Sequence, residues 1–444
     1  MWTIGLAVVA LVVVYYTHLI FKWRSPKIEG VLPPGSMGWP LIGETLQYGP
    51  IFKTSLVGRP IIVSTDYEMN KYILQHEGTL VELWYLDSFA KFFALEGETR
   101  VNAIGTVHKY LRSITLNHFG VESLKASLLP KIEDMLHTNL ANWATQGPVD
   151  VKQVISVVSA LFSADTCTGD LDEHLWFSIL PRTKYLVMML KTRKRSSDRE
   201  KMLKMLKDTL MERLSDPSKR RGDFLDQAID DMKTEKFLTE DFIPQLMFGI
   251  LFASFESMST TLTLTFKFLS ENPRVVEELR VEHEAIVKKR ENPNSRLTWE
   301  EYRSMTFTQM VVNETLRISN IPPGLFRKAL KDFQVKGYTV PAGWTVMLVT
   351  PATQLNPETF KDPVTFNPWR WQDLDQVTIS KNFMPFGGGT RQCAGAEYSK
   401  LVLSTFLHIL VTKYSFTKVR GGDVSRTPII SFGDGIHIKF TARA

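Results

Sequence analysis

Apolar residues recur at helical spacing along most of the chain. Between Ala396 and Tyr414 they stand three and four positions apart, which predicts an amphipathic helix. A longer helix is predicted from Thr239, a suitable N-cap, to the turn before Pro273, because the same spacing continues throughout. A helix of that span is about 45 Å long, enough to cross a whole domain.

The periodicity changes to short strand-like runs between Phe326 and Val349. Turn residues separate the runs Phe333–Val335, Gly337–Gly343 and Thr345–Val349, and each of these predicts a short strand. The pattern of the remaining chain is mostly helical. The sequence therefore predicts a mainly α protein with small β-sheets, an α+β fold.

The N-terminal run is apolar and uncharged. From Trp2 to Phe21 there is no Asp, Glu, Lys or Arg, and about twenty such residues span a bilayer core as a helix. The basic residues that follow keep the rest of the chain on the cytosolic side, by the positive-inside rule. We therefore predict a transmembrane signal anchor over residues 1–24, with a buried N-terminal core helix as the alternative.

A proline-rich hinge is predicted over residues 25–47, and one large globular domain over residues 48–444. The chain has 444 residues, 44% of them hydrophobic and 23% charged, so it can bury a core that encloses a cofactor. Its net charge of +6 suits an anionic membrane surface or an acidic partner protein. No nucleic-acid-binding motif accompanies this charge, and we predict no nucleic-acid partner.

Candidate chemistry centres on one of the two cysteines. Cys167 and Cys393 are too few for a disulfide scaffold and fit a reducing compartment. Cys393 lies in a glycine-rich loop just before the helix predicted from Ala396, where unpaired N–H groups and the helix dipole favour a thiolate. Arg391 adds a permanent cation nearby. A lone cysteine cannot complete a zinc site, but it can supply one axial ligand to a metal held by a macrocycle.

The loop around Cys393 carries a known pattern. Its residues fit Phe-x-x-Gly-x-Arg-x-Cys-x-Gly at Phe386, Gly389, Arg391, Cys393 and Gly395. This pattern resembles the haem-binding loop of the cytochrome P450 family, in which a cysteine thiolate holds the haem iron. The alternative is a glycine-rich turn with a buried structural cysteine. The resemblance implies the cytochrome P450 fold with an N-terminal transmembrane helix. It makes Cys393 the axial iron ligand and places Phe386, Arg391 and Gly395 beside the haem.

The long central helix contains an acid and a row of hydroxyls. Ala253–Ser257 resembles the family's motif Ala/Gly-Gly-x-Asp/Glu-Thr, with Glu256 as the acid and Ser257 in place of the usual threonine. Ser254 replaces the usual glycine. The resemblance implies that Glu256 and Ser257 pass protons toward dioxygen. The alternative is a surface acid and hydroxyls that bond only within the helix.

Two further motifs support the resemblance. Glu314 and Arg317 share one predicted helix face and resemble the family's Glu-x-x-Arg, with Arg370 as the third member of a buried structural network. The segment His108–Arg112 resembles Trp-x-x-x-Arg, with histidine in the tryptophan position. The residues that the resemblance assigns to the haem propionates are His108, Arg112, Arg327 and Arg391.

The resemblance also implies a reaction. The expected enzyme is a haem-thiolate monooxygenase that receives electrons from NADPH through NADPH–cytochrome P450 reductase and uses dioxygen to oxidise an unactivated carbon. The segments Phe383–Gly389 and Trp299–Thr308 look like the plant branch that oxidises sterols and triterpenoids, so a hydrophobic polycyclic substrate is expected. The expected location is the endoplasmic reticulum membrane, spanned once, with the catalytic domain in the cytosol. The residues proposed for the substrate pocket, each with ordinary core as the alternative, are Trp84, Tyr85, Phe89, Phe252, Phe255, Leu325, Phe326 and Phe432.

Two other functions remain compatible with the sequence. A haem-thiolate isomerase or dehydratase needs neither dioxygen nor a reductase, although the acid and hydroxyl of the central helix argue against it. A non-catalytic family member is the other, because the chain looks short after Gln47 and between Cys167 and Arg213. Both short stretches leave the Cys393 loop intact.

Overall fold

The computed structural model describes residues 10–17, 29–35, 49–56, 58–85, 105–168, 194–426 and 430–443. Most of the predicted anchor and hinge, together with Phe89, lies outside the described residues. Within the predicted anchor, residues 10–17 are helical and their side chains are exposed. The chain divides into two compact units, each built from separate segments.

The strands and helices are numbered here in chain order over both units. The strands are β1 (Ile51–Leu56), β2 (Arg59–Ser64), β3 (Val81–Leu83), β4 (Val149–Asp150), β5 (Leu325–Ala329), β6 (Phe333–Val335), β7 (Tyr338–Val340), β8 (Thr345–Leu348), β9 (Tyr414–Gly421), β10 (Ser425–Arg426), β11 (Ile430–Ser431) and β12 (Ile436–Ala442). The helices are α1 (Tyr67–Gln75), α2 (Thr106–Phe119), α3 (Val121–Ser123), α4 (Leu129–Thr145), α5 (Val151–Thr168), α6 (Lys194–Ser215), α7 (Phe224–Asp231), α8 (Phe242–Glu271), α9 (Pro273–Lys288), α10 (Trp299–Ser304), α11 (Thr306–Ser319), α12 (Thr350–Gln354), α13 (Gln376–Asn382) and α14 (Ala396–Lys413). Single π or 3-10 turns occupy Leu124–Leu128, Pro217–Lys219, Pro368–Gln372 and Gly389–Arg391.

The first unit comprises the described residues of Met1–Leu86, Gly324–Gln354 and Ser380–Gln392. It contains a five-stranded sheet in the order β1-β2-β8-β5-β3, in which only β2 and β8 run parallel, and the small hairpin β6-β7. Helix α1 begins at Asp66, whose carboxylate accepts the Met69 N–H at 2.7 Å. The buried side chains of Met69 and Ile73 join this helix to the core of the sheet.

The second unit comprises the described residues of Asp87–Pro323, Leu355–Ile379 and Cys393–Ala444, and it is mainly helical. Its sheets are β4-β12-β9 and the pair β10-β11. The 30-residue helix α8 contributes Phe266 to its core, and this ring meets the rings of Phe406, Phe416 and Phe440 edge to face at 5.4 to 5.5 Å. Aromatic packing therefore joins α8 to α14 and to the C-terminal sheet.

Helix α8 is also apolar and long enough to cross a membrane, with a mean hydropathy of 1.2, and it alone passes that test among the described residues. However, 56% of its most apolar window is buried in protein, which is typical of the core helix of a globular unit.

The predicted fold class is confirmed, as are the long helix, the helix from Ala396 and the three short strands between 333 and 349. The N-cap residue of α8 is Asp241, so the predicted cap at Thr239 is wrong, although the Thr239 hydroxyl accepts the Phe242 N–H at 3.1 Å just before the helix. The sequence pattern did not predict the hairpin β1-β2 or the C-terminal strands. Two features of the sequence could have predicted that hairpin: the glycine at 58, which takes a φ of +74° in the turn, and the apolar run Ile61–Val63 after it.

Candidate active site

Cys393 lies in the second unit between the turn Gly389–Arg391 and helix α14. Burial by the surrounding protein is the largest influence on its thiol and raises the pKa above the usual value. A hydrogen bond from the Gly395 N–H and the positive charge of Arg112 lower the pKa, but by less. The N–H group at the start of the helix thus favours the thiolate, but burial outweighs it, so the prediction that this position favours the thiolate overall is wrong. The cysteine is free and its side chain remains exposed, so a ligand can reach the sulfur.

The backbone conformation explains why glycines precede Cys393. Gly387 and Gly389 both have φ of +68°, a conformation that favours glycine. A Cβ on Gly389 would lie 2.4 Å from the carbonyl oxygen of Leu74. Glycine at 389 is thus required by the backbone of the first unit, and Phe386 lies half-buried just before this turn.

Arg327 and Arg391 both pair with one carboxylate that sequence reasoning missed. Arg327 Nε donates to Glu77 Oε2, and Arg391 Nε lies 3.4 Å from Glu77 Oε1. The side chains are 3%, 10% and 4% exposed for Arg327, Arg391 and Glu77, respectively. Burial lowers the pKa of Arg391, and Glu77 opposes that shift. Burial also raises the pKa of Tyr85, which the two arginines oppose, so a neutral phenol lies beside the pair.

Helix α2 holds the other two residues that the sequence assigned to the propionates. His108 and Arg112 are four positions apart, which places them on one face of the helix, and both are half-buried. Arg112 is the cation whose charge acts on Cys393.

Glu256 is a partly buried acid with a lysine partner. Lys152, on α5, donates to Glu256 Oε1 at 3.2 Å, to Ser259 Oγ at 2.7 Å and to Thr260 Oγ1 at 2.8 Å. A fourth and longer contact, of 3.5 Å, joins the same nitrogen to the Glu256 carbonyl oxygen, so the three protons of the ammonium group are all engaged. Thr260 Oγ1 also lies 3.4 Å from Glu256 Oε1, whereas Oε2 has no hydrogen bond to any described residue. The acid is therefore anchored through one oxygen and open at the other.

The hydroxyls of α8 bond mostly to their own helix. Ser257 Oγ donates to the Ala253 carbonyl at 2.7 Å, and Ser254 Oγ donates to the Leu251 carbonyl at 2.9 Å. Further along, Thr261, Thr263 and Thr265 each donate to the carbonyl four positions before them. This matches the alternative of bonding within the helix. A proton-transfer role for Ser257 stays a prediction.

Glu314 forms a network with both arginines that the sequence named. Its carboxylate accepts two hydrogen bonds from Arg317, both at 2.8 Å, and one from Arg370 at 2.9 Å. The Trp371 indole and the Asn367 N–H each donate to it at 3.0 Å. Glu314 and Arg317 are 0% exposed. The network joins α11 to the turn Pro368–Gln372 and supports the loop around it.

The apolar residues proposed for a pocket fall in both units. In the first unit, Trp84 meets Phe326 edge to face at 5.8 Å, and Leu325 packs against the core of the sheet. In the second unit, Phe252 meets Phe255 edge to face at 5.6 Å. Phe255 and Phe432 are 4% and 6% exposed, as core residues are.

Comparison with known proteins identifies the family. The family described as Cytochrome P450 matches residues 165–431. The chain is 50% identical to cucurbitadienol 11-hydroxylase of Siraitia grosvenorii and 48% identical to beta-amyrin 16-alpha-hydroxylase of Maesa lanceolata. Each of these alignments covers 100% of both chains. The first extends over 473 residues, whereas this chain has 444, so that relative contains residues with no counterpart here.

A solved structure has the same fold. The structure of retinoic-acid-bound cyanobacterial CYP120A1 superposes with a TM-score of 0.80 and 23% sequence identity, and the match covers 94% of this chain and 100% of that one. The chain belongs to the cytochrome P450 family, in which a cysteine thiolate holds the haem iron.

Proposed function

We propose that this chain is a haem-thiolate monooxygenase that hydroxylates an unactivated carbon of a triterpenoid or a related steroid. The observation that carries this proposal is its identity of 50% and 48%, over the full chain, to two hydroxylases named for cucurbitadienol and beta-amyrin. The proposed substrate class comes from the names of these two relatives.

The residues present fit a haem. Within the described ranges no three His, Cys, Asp or Glu residues group as a metal site, so Cys393 fits one axial position better than a complete metal centre. In the first unit, two buried guanidinium groups face one carboxylate. Guanidinium groups are donors that suit the carboxylates of a haem.

Each residue then has a defined task. Cys393 holds the iron, and the Gly395 N–H donates to its sulfur. Arg327, Arg391, His108 and Arg112 are the residues that would pair with the haem carboxylates. The bound haem supplies the activation of dioxygen and the insertion of one oxygen atom into a C–H bond, with the other oxygen leaving as water.

Glu256 and Ser257 deliver the protons that this stoichiometry requires. Lys152 holds the carboxylate at one oxygen, and the other is open to exchange a proton with water. Ser257 donates to a helix carbonyl and so keeps its lone pairs available to accept a hydrogen bond. The electrons come from NADPH through NADPH–cytochrome P450 reductase.

The N-terminal segment supports attachment of the chain to a membrane. Residues 10–17 are helical, and Leu11 and Val14 are 69% and 63% exposed, which suits a lipid environment. We infer a single-pass anchor over residues 1–24 in the endoplasmic reticulum, with the remainder of the chain on the cytosolic side.

Product analysis tests the proposal. Microsomes with the full chain are supplied with a panel of triterpene alcohols and sterols, with and without NADPH and reductase. Hydroxylated product that requires both is expected. A rearranged product that forms without either would favour the isomerase or dehydratase instead.

A non-catalytic role is a second candidate, because the first relative contains residues that this chain lacks. A chain of this kind would bind no haem. Its reduced, carbon-monoxide-treated difference spectrum would be flat, whereas the monooxygenase gives the absorption band of a thiolate-ligated haem.

A further inference from the structure

Lys152 is a charged side chain to which the family motifs assign no task. It lies in the first turn of α5, where the Asp150 carboxylate accepts its backbone N–H at 3.1 Å. Its ammonium group reaches across to α8 and donates there to Ser259, Thr260 and Glu256. All of these residues belong to the second unit. Two neighbouring helices of one unit therefore fix the position of the ammonium group.

Two hydroxyls hold this ammonium group more closely than the carboxylate does. Lys152 Nζ lies 2.7 Å from Ser259 Oγ and 2.8 Å from Thr260 Oγ1, but 3.2 Å from Glu256 Oε1. Ser259 and Thr260 are 0% and 3% exposed, whereas the side chains of Lys152 and Glu256 are 23% and 22% exposed. Buried groups other than the acid thus anchor the ammonium group, so it gives the carboxylate a fixed point of attachment.

The Glu256 carboxylate is held at one oxygen. Its Oε1 accepts from Lys152 and lies 3.4 Å from Thr260 Oγ1, and Oε2 has no hydrogen bond to any residue in the ranges that the structure describes. Burial lowers the pKa of Lys152, but the carboxylates of Glu256 and Asp150 oppose that shift. A glutamate side chain has several rotatable bonds, and fixing one oxygen removes much of that freedom. The ion pair therefore gives Oε2 a defined direction.

We propose that Lys152, clamped by the Ser259 and Thr260 hydroxyls, is a positioning residue that fixes the direction of Glu256 Oε2 and thereby sets the rate of proton delivery. This inference rests on the proposed function, in which Glu256 supplies protons. The proton moves between Oε2 and a water molecule, and Lys152 itself neither gains nor loses one. Without the ammonium group the carboxylate turns among several rotamers and holds the productive direction for only part of the time.

Lys152→Met tests this proposal in the full chain, because it removes the charge and the donors and keeps an unbranched side chain. The substrate is the member of the triterpene and sterol panel that the unaltered chain hydroxylates. We expect the rate of product formation per haem to fall by about 10²-fold, the loss that a catalytic group displaced by about 1 Å can cause. The ratio of this rate in H₂O to that in D₂O is expected to rise, because proton delivery then limits turnover.

A double-mutant cycle separates positioning from a general loss of structure. The Glu256→Gln chain has no acid to position, so adding Lys152→Met to it is expected to cause little further loss of activity. The same comparison keeps the test valid if Lys152→Met alone binds no haem, because the double variant leaves no carboxylate without its cation.

Lys267→Met is the matched control. Lys267 lies on α8, its side chain is 22% exposed, and it pairs with Glu271 at 2.6 Å. It thus resembles Lys152 in exposure and in having a carboxylate partner, but it makes no contact with Glu256. We expect its rate of product formation and its isotope ratio to match those of the unaltered chain.

Three results would overturn the role of Lys152 and leave the monooxygenase standing. They are equal rates in Lys152→Met and Lys267→Met, a fall in rate without a rise in the isotope ratio, and a large further loss when Lys152→Met is added to Glu256→Gln. An unaltered chain that hydroxylates no member of the panel overturns the proposed function, and the role of Lys152 with it.

Discussion

Ser257 is bonded within its own helix, yet its position beside Glu256 gives it a distinct expected role. Its hydroxyl donates to the Ala253 carbonyl at 2.7 Å, as most of the other hydroxyls of α8 do to carbonyls of the same helix. A hydroxyl that donates its proton to a carbonyl can still accept a hydrogen bond at its oxygen. What separates Ser257 from its neighbours is therefore its place in the motif.

Ser257→Ala is expected to lower coupled turnover by about 10²-fold, the lower end of general acid–base effects, because the hydroxyl oxygen that accepts a hydrogen bond in proton transfer is lost while packing hardly changes. The measurement is product formed per NADPH consumed. Ser270→Ala is the matched control, since Ser270 Oγ also donates to a carbonyl of the same helix, that of Lys267 at 2.8 Å. Equal coupling in both variants would contradict the role of Ser257.

Motif spacing found residues such as Cys393, Glu314 and Arg317, whose pattern lies within a short stretch of chain. It did not find Glu77 or Lys152. Glu77 is 250 positions from Arg327, and Lys152 is 104 positions from Glu256. A contact across such a distance depends on the tertiary fold and leaves no local pattern.

At the scale of elements, the Glu314 network joins α11 to the turn Pro368–Gln372. Glu314→Gln removes the charge that five hydrogen bonds share and leaves two buried guanidinium groups uncompensated. We expect the free energy of unfolding to fall by about 3–5 kcal/mol, measured by denaturant titration.

The control for this prediction is Glu277→Gln on α9. Glu277 pairs with Arg280 at the same i,i+3 spacing, but its side chain is 63% exposed. Exposed pairs contribute about 0.2–1 kcal/mol, so this loss is expected to be much smaller. Equal losses in the two variants would show that the buried network stabilises no more than a surface pair.

A second junction joins α9 to α14 through two buried histidines. His283 Nδ1 and His408 Nδ1 are 2.9 Å apart, and His283 Nε2 lies 2.9 Å from Thr308 Oγ1. Burial lowers the pKa of both rings, with smaller contributions from neighbouring positive charge, and lowers that of His408 to about 4. Both histidines are therefore neutral in the folded protein at physiological pH.

These pKa values give stability a pH dependence of known sign. The unfolded chain takes up protons near pH 6.5, before the folded histidines do, so the free energy of unfolding falls as pH falls from about 6.5 to about 4. His408→Gln is expected to reduce that slope, because the ring whose pKa burial lowers is then absent. A slope unaffected by His408→Gln would rule out this pair as its source.

The elements that the sequence predicted best are long or strongly patterned. In helices α8 and α14 the apolar residues keep a helical spacing over many turns. The strands β6, β7 and β8 are short runs that turn residues separate from one another. The hairpin β1-β2 and the strand β12 were missed. The pairs β2-β8 and β12-β4 bring together distant parts of the chain, and such pairing is decided by the tertiary fold.

At the scale of the whole molecule, the family assignment and the proposed anchor together describe a membrane-attached oxidoreductase. Removal of residues 1–24 is expected to move the protein from the membrane pellet to the supernatant, because the apolar run that partitions into lipid is lost. Fractionation and immunoblotting of the two forms measure this. Retention of the shortened chain in the pellet after a salt wash would place its membrane attachment elsewhere.

The central claim is that the sulfur of Cys393 holds the haem iron. Its most direct test is the carbon monoxide difference spectrum of the reduced full chain, recorded beside that of Cys393→His. We expect the band of a thiolate-ligated haem in the unaltered protein and an imidazole-type band, or no haem, in the variant. The same band in both proteins, or an imidazole-type band in the unaltered chain, would contradict it.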